Sequence, residues 1–139
     1  MLKVVLDANV WISALIWGGR PAEIIKAAED ARIKIFASEE IVGEISQVLN
    51  YPKLKKVYQT AGLRHEELVE AMLRIVKFVE ATERVAVIVE HPADDRYLEC
   101  ALAAGADYII SGDKHLLKIA SYRKTRILSV SDFLETLKV

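Results

Sequence analysis

Short apolar runs alternate along the chain with longer segments in which apolar residues recur at helical spacing. The runs are contiguous rather than alternating with polar residues, which is typical of parallel strands buried on both faces. Helical segments between successive strands are typical of α/β domains. We therefore predict an α/β fold with a central parallel sheet of four to five strands, covered by helices on both faces. The predicted strands are residues 4–6, 33–37, 85–89, 107–110 and 126–130.

Turn and capping residues predict where the helices begin and end. Gly18 and Gly19 end a first helix that starts at Val10, and Pro21 suits the first turn of a second. Ser38 is the predicted N-cap of a third helix. Further helices are expected over residues 53–62, 68–79, 94–104 and 115–119, with a last helix that begins at 132 and is capped by Ser131.

Length and composition are typical of a single soluble domain. The 139 residues can bury a substantial core, so we expect one domain over residues 1–139. No apolar run approaches the ~20 residues of a membrane span, and no signal peptide is evident, which predicts a cytoplasmic protein. The net charge of −1 gives no overall attraction to nucleic acid. Cys100 is the only cysteine, and the three histidines show no zinc spacing.

Acidic residues follow three of the predicted strands. Asp7 comes directly after the first strand, Asp94 and Asp95 follow the third, and Asp113 follows the fourth. Because the carboxyl ends of parallel strands meet at one edge of a sheet, these side chains are expected in one crevice. Each aspartate could instead be the N-cap of the helix that follows it. The number of acids at one edge favours a ligand site over capping alone.

Glu44 is a fourth acid that can face this crevice. It lies between Ile41 and Val48, at the margin of the buried stripe of the helix capped by Ser38. An acid turned toward the interior needs a partner, and a divalent cation would provide one. Like charges repel unless a cation compensates them, and an oxygen-only ligand set favours Mg²⁺ or Mn²⁺. The expected chemistry is metal-dependent phosphodiester hydrolysis, by a nuclease or a phosphatase.

Four segments together resemble the PIN-domain ribonucleases, in particular the prokaryotic toxin–antitoxin (VapC-like) type. They read LDANVWISA from Leu6, ASEEIVGEISQVL from Ala37, HPADDRYLECALAAGADYIISGDKHLL from His91 and RILSVSDFLETL from Arg126. The resemblance implies a PIN-like three-layer sandwich and a Mg²⁺- or Mn²⁺-dependent ribonuclease that cuts single-stranded RNA. It also implies a homodimer, with a cognate antitoxin protein as a further partner.

The resemblance assigns roles to individual residues of the proposed site. The acids that it implies as catalytic and metal-binding are Asp7, Glu44, Asp94 and Asp113. Asp95 is either a further ligand or a solvated charge in the first turn of its helix. Asn9 and Ser111 are expected as supporting polar residues. From local sequence alone, Asn9 could equally cap the helix from Val10, and Ser111 could be a turn hydroxyl.

An RNA substrate requires local positive charge, since the total charge is close to zero. The densest basic stretch runs from Lys53 to His65, and Tyr58 within it is a candidate for base stacking. Each of these residues could equally belong to a solvated surface. The candidates for contact with substrate are Arg20, Lys53, Lys55, Lys56, Lys114 and His115.

Two alternative functions are compatible with parts of the sequence. One is a catalytically inactive PIN-like scaffold that binds RNA or protein, although the presence of all four acids argues against it. The other is a phosphoacceptor receiver domain, which requires an acidic pair after the first strand and a lysine after the fifth. This chain has Asp7-Ala8-Asn9 and Ser129 at those places, so the receiver is the weaker alternative.

Overall fold

Strands and helices alternate through most of the chain in the computed structural model, which describes residues 1–138. The strands are β1 (Leu2–Leu6), β2 (Ile33–Ala37), β3 (Lys77–Phe78), β4 (Tyr108–Ile110), β5 (Ser121–Tyr122) and β6 (Thr125–Leu128). The helices are α1 (Ala8–Ile16), α2 (Gly19–Glu29), α3 (Glu39–Val48), α4 (Pro52–Thr60), α5 (His65–Ile75), α6 (Asp95–Ala104), α7 (Lys114–Ile119) and α8 (Val130–Leu137). A 3₁₀ turn, Pro92–Asp94, leads into α6. Within residues 1–138, none of the helices combines the length and the apolar character needed to cross a membrane.

The strands form one sheet in the order β3-β2-β1-β4-β6-β5. All neighbouring pairs are parallel except β5 and β6, which form an antiparallel hairpin at one edge. The predicted mostly parallel sheet flanked by helices is confirmed. It has six strands rather than four to five, because the two-residue strands β3 and β5 are too short to show a pattern in the sequence.

Burial of β1 on both faces explains why helices cover the sheet on each side. Val4, Val5 and Leu6 are consecutive and fully buried. Because successive strand residues point to opposite faces, both faces of this strand must be covered. α6 packs against β1, β2 and β4, and α2 packs against β2. Each large apolar side chain buried in this way contributes about 1.5–3 kcal/mol to the stability of the folded state. This packing fixes the positions of the strand ends.

Capping side chains determine the starts of several helices. Ser38 accepts a hydrogen bond from the backbone at the start of α3, as predicted. The last helix begins earlier than predicted, because the hydroxyl of Ser129, and not that of Ser131, accepts the Asp132 N–H at 3.1 Å. Gly105 ends α6 with a φ of 62°, a left-handed conformation that glycine adopts without steric cost.

The prediction of a strand at Val85–Val89 is wrong. This segment is irregular, and the strand beside β2 is Lys77–Phe78. Those two residues lie in a stretch predicted to be helical, whereas α5 stops at Ile75. The β-branched composition of Val85–Val89 is typical of a strand. Its backbone N–H groups are bound by side chains of α6 instead of by a neighbouring strand.

Two buried carboxylates on α6 hold this irregular segment. Oδ1 of Asp95 accepts the N–H groups of Val87 and Ile88 at 3.1 and 3.0 Å. Oε2 of Glu99 accepts the N–H of Val85 at 3.0 Å. Backbone donors near the core need such partners, because an unpaired buried N–H is costly. The position of Asp95 is therefore explained by backbone hydrogen bonding.

We expect Asp95→Ala to lower the free energy of unfolding by about 2–3 kcal/mol, because the N–H groups of Val87 and Ile88 lose a charged acceptor. Urea unfolding followed by circular dichroism measures the change. The matched control is Asp132→Ala at an exposed position, expected to cost less than about 1 kcal/mol. Equal losses in the two variants would contradict the role assigned to Asp95.

Candidate metal centre

A small cavity opens at the carboxyl edge of the sheet, where β1 and β4 end side by side. Leu6 pairs with Ile110 in the parallel register, so the residues that follow both strands meet there. The cavity has a volume of about 60 Å³, above the roughly 10–15 Å³ that one water requires. The residues that line it are Asp7, Ala8, Asn9, Glu44, Asp94, Tyr97, Asp113 and Leu116. Four carboxylates from four parts of the chain therefore line one cavity.

Asp7 is both a helix cap and part of the cavity wall. Oδ1 accepts the Val10 N–H at 2.9 Å and caps α1, while Oδ2 accepts a hydrogen bond from the Ser111 hydroxyl. Burial raises the pKa of Asp7; these hydrogen bonds lower it, and the negative charge of Asp113 raises it further. Each carboxylate oxygen has a second lone pair. Capping and cation binding are therefore compatible roles for this residue.

Ser111 connects the first acid to the last. Its hydroxyl is fully buried, donates to Asp7 and accepts the Asp113 N–H at 2.8 Å. Asp113 in turn caps α7, because its Oδ1 accepts the N–H groups of His115 and Leu116 at 2.7 and 3.3 Å. The same Ser111 hydroxyl therefore closes the turn before Asp113 and contacts Asp7, and in this way it connects the ends of β1 and β4.

Glu44 reaches the cavity from α3 and is held by two residues of α6. The Tyr97 hydroxyl donates to Oε1 of Glu44 at 2.7 Å, and Nη1 of Arg96 lies 3.3 Å from the same oxygen. The Tyr97 hydroxyl also accepts the N–H of Ala8 at 3.1 Å. Burial and the bond to Glu44 raise the pKa of Tyr97, so the hydroxyl keeps its proton.

Sequence reasoning missed the roles of Tyr97 and Arg96. Tyr97 has the helical spacing of a core residue, and it is buried. Its position three residues after Asp94 was an available signal, because residues three apart share a helix face. The salt bridge of Arg96 with Glu44 depends on how α3 packs against α6 and has no local signal.

Asp94 ends the turn that leads into α6, and its carboxylate receives no hydrogen bond from the described residues 1–138. Partial burial raises the pKa of Asp94, and the negative charges of Asp113, Glu44 and Asp7 raise it too, whereas nearby His91 lowers it. A carboxylate in this setting is poorly compensated by the protein. It is therefore available to a cation.

Asp95 and Asn9, two residues with open roles, lie in different surroundings. Asp95 does not line the cavity, and the idea that it is a solvated charge is wrong, because it is buried and its Oδ1 accepts backbone N–H groups of the irregular segment. Asn9 lines the cavity from the first turn of α1. The idea that Asn9 caps this helix is wrong, because Asp7 is the N-cap.

The chemistry of the four acids fits a hard divalent cation. They offer only oxygen atoms, which Mg²⁺ and Mn²⁺ prefer. The raised pKa values of Asp7 and Asp94 reflect burial and mutual repulsion, which a cation would offset. As placed, no three Asp, Glu, His or Cys side chains among residues 1–138 are close enough to bind one ion together.

The basic residues expected to contact substrate lie on several elements. Lys114 and His115 follow Asp113 at the start of α7, next to the cavity. Arg20 donates to the Ser131 hydroxyl at 3.3 Å, between α2 and α8. The lysines of α4 do not line the cavity; they are Lys53, Lys55 and Lys56.

Tyr58 is not available for base stacking, contrary to the expectation from the sequence. It is fully buried, and its hydroxyl donates to the Leu49 carbonyl at 2.8 Å. This bond ties α4 to the end of α3. His65, also in the basic stretch, is partly buried with Nε2 3.0 Å from the Ser46 carbonyl oxygen.

A larger hollow of about 490 Å³ lies beside β3, away from the four acids. Arg84, the one basic residue among the described residues that line it, is paired, because its guanidinium bridges Glu40 at 2.9 Å and Glu99 at 3.0 Å. Paired charges offer a small ligand less than uncompensated carboxylates do. The smaller cavity is therefore the better candidate for a functional site.

Comparison with known proteins agrees with this geometry. The PIN domain family model matches residues 3–115. An uncharacterized protein of Methanocaldococcus jannaschii, MJ1680, is 32% identical over 133 residues, which cover 88% of this chain and 78% of that protein.

Two solved structures share the fold at low sequence identity. VapBC2 from Rickettsia felis, bound to a DNA fragment from its promoter, has a TM-score of 0.63 at 10% identity, covering 92% of this chain and 98% of that one. PAE2754 from Pyrobaculum aerophilum has a TM-score of 0.61 at 21% identity, covering 99% and 90%. The match to the PIN domain family model over residues 3–115 makes the receiver-domain alternative wrong. The extent of the family match shows that the chain belongs to the PIN domain family.

Proposed function

We propose that the protein is a metal-dependent endoribonuclease that cuts single-stranded RNA. PIN domains are generally nucleases that use divalent metal ions. One observation carries the proposal for this chain, the meeting of four carboxylates at one cavity on the carboxyl edge of the sheet. The proposed cofactor is Mg²⁺ or Mn²⁺.

In this proposal the cation is held by Asp7, Glu44, Asp94 and Asp113. A bound divalent cation would lower the pKa of an attacking water and offset the charge that develops on the phosphate. Ser111 holds the ends of β1 and β4 together, and Tyr97 with Arg96 orients Glu44. Such hydrogen bonds fix ligand positions before substrate binds. The proposed RNA contacts are Arg20, Lys53, Lys55, Lys56 and Lys114.

We further infer that the protein is the toxin of a toxin–antitoxin pair, acts in the cytoplasm and forms a homodimer that a cognate antitoxin inhibits. The shared fold with VapBC2 supports this inference. We propose large exposed apolar side chains as candidate contacts for these partners. They include Trp17 at 59%, Phe78 at 51% and Val89 at 85% exposure.

We expect Asp7→Asn, Asp94→Asn and Asp113→Asn each to lower the rate of RNA cleavage by about a hundredfold or more, because each removes a charged ligand. The assay follows a labelled single-stranded RNA with purified protein in Mn²⁺ and, separately, in EDTA. The control is Asp132→Asn, an exposed aspartate outside the cavity, expected to cleave as the wild type does. Cleavage unchanged by all three site variants, or unaffected by EDTA, would rule out the proposal.

We expect Asp94→Asn to raise the Tm of the cation-free protein at neutral pH. The pKa of Asp94 in the folded state lies above its ordinary value of 3.8. The folded state therefore binds more protons than the unfolded state, and stability is lost as the pH rises from 3.8 through the raised pKa. The Asp94→Asn variant carries no titrating carboxyl group at this position, so it does not lose stability in this way as the pH rises. Thermal unfolding in EDTA over a pH series measures the difference.

The same variant gives the opposite result with cation present. The free energy of unfolding of the wild-type protein should rise by about 2.7 kcal/mol at a Mn²⁺ concentration of roughly a hundred times Kd. That of Asp94→Asn should rise much less, because the variant lacks a charged ligand. A Tm for Asp94→Asn below wild type at every pH in EDTA would contradict the repulsion inferred at this residue.

A further inference from the structure

Two histidines that are distant in sequence lie together at the edge of the acid cavity. The ring centroids of His91 and His115 are 4.5 Å apart, with an angle of 51° between the rings. His91 directly precedes the turn that carries Asp94, and His115 lies two residues after Asp113. The imidazole pair is therefore next to two of the four acids.

One ring nitrogen of His115 is buried beside a carboxylate of the cavity. This nitrogen, Nδ1, has no hydrogen-bond partner among residues 1–138. The same nitrogen lies 3.3 Å from Oδ1 of Asp113, an oxygen that already accepts the His115 N–H at 2.7 Å. A buried polar atom without a partner is rare and calls for an explanation.

The spacing of these two atoms suits a shared cation. Ligand atoms at about 2.1 Å from a metal, and at right angles to each other, lie about 3.0 Å apart. The Nδ1–Oδ1 distance of 3.3 Å is close to that value. His91 adjoins the same place, because its ring centroid lies 4.5 Å from that of His115 and the turn that follows it carries Asp94.

We propose that His115, supported by His91, binds the cation together with Asp113 and Asp94, and so makes the site prefer Mn²⁺ or a later first-row transition ion to Mg²⁺. This inference rests on the proposed cation site of the four acids. It replaces the phosphate contact expected for His115 from the sequence.

The preference follows from ligand chemistry. Mg²⁺ keeps its waters and takes oxygen ligands in near-ideal octahedral geometry, so an imidazole adds little to its binding. Affinity for mixed nitrogen and oxygen sites rises from Mn²⁺ through Fe²⁺ to Co²⁺ and Ni²⁺. A site made of carboxylates alone would differ less in its affinity for Mg²⁺ and for these transition ions.

Electron spin-echo spectroscopy of Mn²⁺ bound to the full-length protein tests the inference directly. A coordinated imidazole modulates the echo through its nitrogen nuclei, and isotopically labelled histidine changes that modulation. We expect nitrogen modulation in the wild type, a change on histidine labelling, and loss of the signal in His115→Asn. Labelling needs no substitution, so the test does not depend on the folding of a variant.

Binding titrations supply a second readout. His115→Asn should weaken Mn²⁺ binding by about tenfold or more, and Mg²⁺ binding by less than about twofold. His91→Asn should weaken Mn²⁺ binding by a smaller factor. His65→Asn is the matched control, because this histidine contacts the Ser46 carbonyl and does not line the cavity. It should leave both affinities and the echo unchanged.

The outcomes separate this inference from the proposed function. If Mn²⁺ binds, and Asp113→Asn abolishes binding, but no nitrogen modulation is present, His115 only forms an ion pair with Asp113 and the inference is overturned. If Mn²⁺ does not bind the wild type, or binds equally well to Asp7→Asn, Asp94→Asn and Asp113→Asn, the cation site itself is overturned.

Discussion

Repulsion among four carboxylates at one sheet edge is the constraint on which the rest of the candidate site depends. The protein offsets part of it with its own donors. Asp7 accepts hydrogen bonds from the Val10 N–H at the start of α1 and from the Ser111 hydroxyl, and Asp113 accepts the His115 N–H at the start of α7. Tyr97 and Arg96 bind Glu44 from α6. Asp94 has no such donor among residues 1–138, so the compensation is incomplete where a cation would complete it.

One helix serves both the site and the fold. Residues three apart share one side of the start of α6, where Asp94 and Tyr97 line the cavity. Asp95 and Glu99, four apart, share another side and bind the backbone of the segment at Val85–Ile88. The same helix also packs on three central strands. A change that loosens the irregular segment would therefore also shift the acid and the tyrosine that face the cavity.

Asp7 and Asp113 could be located from the sequence because parallel strands bring their carboxyl ends together whatever the loops do. Asp94 follows the irregular segment rather than a strand, so its place in the cavity does not come from the strand-end argument that predicted it. Glu44 could be located from helical periodicity alone. The spacing of Tyr97 from Asp94 could place both on one side of a helix, but the bond of its hydroxyl to Glu44 could not be predicted, because Glu44 lies on another helix. The strand at Val85–Val89 was predicted from composition, but the segment is irregular because carboxylates up to fourteen positions later in the chain bind its backbone. The contact between His91 and His115 likewise depends on the packing of separate elements.

The cation site joins the fold to the proposed function, since the same side chains cap helices, repel one another and are proposed to hold the ion. A crystal structure grown with Mn²⁺, with data collected at the manganese absorption edge, addresses it most directly. An anomalous peak within coordination distance of Asp7, Asp94 and Asp113, with Glu44 turned toward it, is the expected result. Manganese bound only elsewhere on the protein, or absent from the cavity at saturating concentration, would contradict the assignment of these acids.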